Sequence, residues 1–118
     1  MKNKNFLCGV KCALSGLFLA LRTEKNFLVY LFHIIVTLPL NFVLGFSAIE
    51  HLIWFVTVIG VFATECVNTA IEHICNYLTE ERNDKIGAIK DIAAGAVCCW
   101  GIAFYFAEIF MIGLNLLA

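Results

Sequence analysis

Charge is what this chain lacks over long distances. No Asp, Glu, Lys or Arg occurs between Lys25 and Glu50, between Glu50 and Glu65, between Asp91 and Glu108, or after Glu108. Such gaps exclude a large soluble domain and mark lengths of chain suited to lipid. Proline is nearly absent, with Pro39 alone, so long helices meet little interruption. None of the six cysteines forms a Cys-x-x-Cys pair, and Cys8 and Cys12 have no nearby His or carboxylate to complete a metal site. They read as small apolar residues. There is no G-x-x-x-x-G-K-[ST] loop and no kinase glycine loop, which excludes the familiar phosphate cradles. The net charge of −1 gives no electrostatic reason to expect a nucleic-acid partner. Lys2 and Lys4 precede an interrupted apolar stretch without a small-residue cleavage pattern, so no cleavable leader is predicted.

Apolar residues are what is abundant. They make up 62% of 118 residues, with a mean hydropathy of +0.90. The reading is an all-α membrane protein forming a single domain over 1–118. Residues 6–21 are apolar but broken by Lys11, Ser15 and Gly16, and are expected as an amphipathic helix on the membrane surface. Three spans follow, over about 27–45, 52–78 and 92–117. The second would be about 40 Å long against a hydrocarbon thickness of roughly 30 Å, so one end protrudes or tilts. Residues 46–51 are expected as a short turn and 79–91 as a polar loop. Pro39 is expected to kink the outer half of the first span. His33 and Asn41 are expected to bond other helices, and Ala93, Ala94, Gly95 and Ala96 to allow close helix approach. Glu24 has Arg22 and Lys25 as its nearest bases.

Lys and Arg sit before the first span and in 79–91, and are absent from 46–51. The positive-inside rule then predicts a cytoplasmic N-terminus and an external C-terminus. This topology brings Glu24, Glu72, Lys90 and Asp91 to one cytoplasmic face, with Glu65 just beneath it.

The stretch Glu65–Glu72 is the most informative. Glu65, Asn68 and Glu72 fall on one side of a helix, and charge within a span must face a partner, a cavity or a ligand. Glu24 and Glu72 could hold Mg²⁺, Lys90 could neutralise phosphate, and Glu65 could act as a general base on an alcohol. Those groups suit phosphoryl transfer. The same residues could equally form salt bridges that hold a bundle together. A non-catalytic cation pathway lined by Glu65, Glu72 and Glu108 is a further reading.

The run ECVNTAIEH, followed 17 residues after its His by KDIAAGAV, resembles the signature of the small prokaryotic diacylglycerol kinase and undecaprenol kinase family. With three spans and the RTEKN link, the resemblance covers nearly the whole chain. It implies a surface helix and three spans, a homotrimer with sites between subunits, and transfer of the ATP γ-phosphate to a lipid alcohol with Mg²⁺. By the same resemblance Glu65 is the catalytic base and Asn68 its neighbour at the lipid hydroxyl. Glu24 and Glu72 are the metal ligands, Lys90 contacts the nucleotide phosphates and Asp91 the base, and Glu81 is a further nucleotide contact. Asn5, with Lys4 adjacent, stands where an Arg or Lys is common; Asn76 replaces a common Asp and Asn83 a common His. These departures also suit a homologue that has lost activity. The motifs look more like the undecaprenol branch than the diacylglycerol branch, in a bacterial cytoplasmic membrane.

Overall fold

The computed structural model describes residues 5–118. Lys2 and Lys4, which entered the charge reading, lie outside the described residues. The chain forms four helices: α1 (Phe6–Thr23), α2 (Asn26–Val43), α3 (Ala48–Leu78) and α4 (Asp84–Leu117). Each is long and apolar enough to cross a membrane. α3 and α4 are packed most extensively, with α1 and α2 laid against α3.

The turns explain where the helices end. α2 closes in a Schellman motif: the Phe46 N–H donates to Asn41 O at 3.0 Å and the Gly45 N–H to Phe42 O at 3.1 Å. Gly45 has φ +76°, where a side chain would be strained. The chain restarts almost at once. Ser47 Oγ accepts from the Glu50 N–H at 3.3 Å, and Glu50 Oε2 accepts from the Ser47 N–H. This capping box starts α3 at Ala48, so most of the expected turn over 46–51 is helical. The expected polar loop over 79–91 is shorter still. Asn83 Oδ1 accepts from the Lys85 and Ile86 N–H groups at 3.0 and 3.2 Å, and α4 starts at Asp84. An amide cap and an acid in the first turn offset the unpaired N–H groups there. α2 runs through Pro39 without a break.

The core is Phe46, Trp54, Val58, Val61, Phe104 and Met111, all buried. The close approach of α3 and α4 falls at Gly60, where a Cβ would collide with the Trp100 ring. It does not fall at residues 93–96: Ala93 is buried, but Ala94, Gly95 and Ala96 are exposed. Polar ties cross the apolar interior. The Trp54 indole donates to Thr37 Oγ1 at 2.9 Å, His33 Nε2 meets the Tyr105 hydroxyl at 2.6 Å, and Asn41 Nδ2 donates to Glu108 Oε2 at 3.4 Å. His33 and Asn41 thus bond another helix, as expected. All six cysteines are free.

Candidate active site

Glu65 sits in the middle of α3 and is 2% exposed. Its carboxylate is held from α2. Asn26 Nδ2 donates to Oε1 and the Tyr30 hydroxyl to Oε2, both at 3.1 Å. The Tyr30 ring is braced edge-on by Phe27 and Phe62, each with its centroid 6.0 Å away. Asn26 is the first residue of α2, so α2 begins at the level of Glu65 and the last 13 residues of α3, about 20 Å, extend beyond it. One turn along α3, Asn68 is 5% exposed and its Oδ1 has no partner among the described residues. Thr69 Oγ1 beside it is also unpartnered. A buried acceptor without a donor is costly, so these atoms favour an incoming hydroxyl or water.

Glu24 closes α1, its N–H donating to Ala20 O at 3.1 Å. Its ring contact on another helix replaces the expected pairing with Arg22 or Lys25. His73 Nε2 on α3 lies 3.9 Å from Glu24 Oε1. Because Glu72 precedes His73, the α1–α2 corner meets the part of α3 that carries the second predicted metal acid. Glu72 is half-buried. The described residues contain no group of three or more His, Cys, Asp or Glu that could hold a metal ion. Mg²⁺ in nucleotide sites takes one or two carboxylates and fills its remaining positions with phosphate oxygens and water, so Glu24 and Glu72 suit it.

Further along, Lys90 Nζ donates to Asn76 Oδ1 at 2.7 Å, joining α4 to α3. A polar, open cleft lies at this connection, with Asn76, Glu81, Arg82, Asn83 and Lys90 in its lining. Glu81 and Lys90 therefore share a cleft. Asp91 is exposed and is not in that lining. Asn83 is occupied as the α4 cap, and Asn5 stands at the start of α1.

Sequence reasoning missed Asn26, Tyr30 and His73 as site residues, and gave Arg82 only a topological part. A small apolar cleft between α2, α3 and α4 has Tyr30, His33, Phe62, Phe104 and Tyr105 in its wall, so Tyr30 stands between Glu65 and apolar space. Glu108 is placed elsewhere. It pairs with Asn41, 11 residues beyond Tyr30 on α2, about 16 Å further along the helix axis.

Four long apolar helices with acids, amides and a lysine gathered at one end define a multi-pass membrane protein with a polar site. The sequence pattern of the prokaryotic diacylglycerol kinase family matches residues 11–112, and the chain belongs to that family. It is 37% identical over 87 residues to the undecaprenol kinase of Bacillus subtilis (strain 168), covering 74% of this chain and 71% of that protein. It is 32% identical over 98 residues to the diacylglycerol kinase of Haemophilus influenzae (strain ATCC 51907 / DSM 11121 / KW20 / Rd), covering 80% of this chain and 83% of that one. No solved structure matches at a significant level. The chain is therefore a membrane lipid kinase that uses ATP, and the cation-pathway reading gives way to it.

Proposed function

We propose that the chain transfers the γ-phosphate of ATP to the hydroxyl of undecaprenol at the cytoplasmic face of the membrane, with Mg²⁺, as a homotrimer. The observation that carries the mechanism is the buried Glu65 carboxylate, fixed by two donors beside the unpartnered Asn68 Oδ1. Glu65 takes the proton of the lipid hydroxyl as the lipid oxygen bonds the γ-phosphorus and the bond to the β–γ bridging oxygen breaks, releasing ADP. Asn68 orients the alcohol, its side-chain N–H donating to the alcohol oxygen while the single hydroxyl proton faces Glu65. Lys90, whose partner is the neutral Asn76 amide, contacts the phosphates. Glu81 and Asp91 complete the nucleotide contacts. Glu24 and Glu72 would hold Mg²⁺, which supplies charge neutralisation on the phosphates.

The depth of Glu65 suits an amphiphilic alcohol. It is level with the start of α2, where a headgroup-level hydroxyl can reach it while the tail stays in the bilayer. We assign α1 to the membrane surface. Spanning would bury Lys11, and Ala20 alone is buried among its described residues. With α2, α3 and α4 as spans, the bases of 79–91 share the cytoplasmic side with Arg22 and Lys25. Trimer formation is supported by the family resemblance.

Undecaprenol is favoured by the kinase of Bacillus subtilis, the relative of higher identity. Diacylglycerol is the second reading, favoured by the longer match to the kinase of Haemophilus influenzae. Labelled-phosphate transfer from ATP, with both lipids offered together in vesicles, separates them. Preferential labelling of undecaprenol is the expected result; preferential labelling of diacylglycerol would overturn the substrate assignment.

A further inference from the structure

The Glu65 carboxylate is gripped by α2 on both oxygens. Asn26 and Tyr30 are four residues apart, so they project from the same face of α2 one turn apart. One takes Oε1 and the other Oε2. A carboxylate offers about four acceptor positions, so two remain for a substrate hydroxyl. Two donors on different oxygens stop the carboxylate rotating, and because both are neutral they orient it without cancelling its charge. Tyr30 has little freedom of its own, with Phe27 and Phe62 against its ring. It also walls the apolar cleft, so it lies between the base and apolar space.

We infer that Asn26 and Tyr30 are positioning residues that fix both oxygens of Glu65 for the lipid hydroxyl. The inference rests on the reading of Glu65 as the base.

Two variants separate positioning from support of the fold. Tyr30→Phe keeps the ring and its neighbours and removes only the hydroxyl. Asn26→Ala removes the N–H that Glu65 accepts from, at an exposed position where truncation leaves no cavity. Alanine is a strong helix former, so this change should cost the fold little. The measurement is labelled-phosphate transfer to undecaprenol in vesicles, with kcat and both KM values, beside thermal unfolding in detergent. Glu65→Gln serves as the reference.

Tyr30→Phe is expected to lower kcat about tenfold with both KM values within about twofold. Asn26→Ala is expected to lower kcat about tenfold while the thermal midpoint moves little. Turnover within twofold of native in both variants, with Glu65→Gln inactive, would overturn the positioning role and leave the base in place. Loss of turnover that only tracks loss of thermal stability would also overturn it. An active Glu65→Gln enzyme would remove the base reading and this inference together.

Discussion

Lys90 on α4 and Asn76 on α3 share a 2.7 Å hydrogen bond across the mouth of the polar cleft. The bond joins α4 to α3 beside the groups proposed to contact the nucleotide, and its acceptor is a neutral amide. Lys90→Met should raise the KM for ATP by at least about tenfold, the equivalent of 1.4 kcal/mol or more, because a charge-assisted phosphate contact is lost. Asn76→Ala should raise it only a few-fold, since the charge remains and only its aim is loosened. The KM for the lipid should not move in either. Steady-state kinetics with each substrate varied in turn checks this.

Glu24 and Glu72 should act on metal dependence together. Chelation of divalent cations should abolish transfer, and added Mg²⁺ should restore it. Glu24→Gln and Glu72→Gln should each raise the Mg²⁺ concentration for half-maximal activity by about tenfold or more, as each removes one of two carboxylates. A Mg²⁺ titration of activity at saturating ATP is the measurement.

Glu108 should be dispensable for transfer. It lies on α4, away from Glu65, and its recorded partner is Asn41. Glu108→Gln preserves a polar group opposite Asn41, so activity should stay within about threefold of native, with any cost appearing as stability on the order of 1 kcal/mol. Transfer assays beside thermal unfolding in detergent check both parts.

Gly60→Ala should destabilise the chain without touching the site. Its Cβ would enter the space of the Trp100 ring, and overpacking of this kind costs about 1–3 kcal/mol. Pairing it with Trp100→Leu should recover part of that loss. The double-mutant cycle, read by thermal unfolding, should show coupling between the two positions.

The parts of the site legible in the sequence are those that one helix carries alone. Glu65, Asn68 and Glu72 follow helical spacing, so their shared side could be read from position numbers. Asn26 and Tyr30 could not be found that way. They meet Glu65 across 39 and 35 residues, through a register between α2 and α3 that hydrophobic periodicity does not encode. His73 was hidden for a similar reason, because its neighbour Glu24 belongs to another helix. The start of α4 was misread because the dense charge of 79–91 outweighed a cap signal, Asn83 followed by Asp84, that the structure uses. The small residues 93–96 could be read as allowing close helix approach, but nothing in the sequence pointed to Gly60 opposite Trp100, where α3 and α4 come close within the chain. Composition reveals where close approach is allowed, and the register decides which site uses it.

The most direct test of the account is transfer of labelled γ-phosphate from ATP to undecaprenol by the native chain and by Glu65→Gln, in the same vesicles and at the same oligomeric state. The native chain should label the lipid, and the variant should fall by about 100-fold or more, the scale of a lost general base. Comparable labelling by the two would contradict Glu65 as the group that takes the proton.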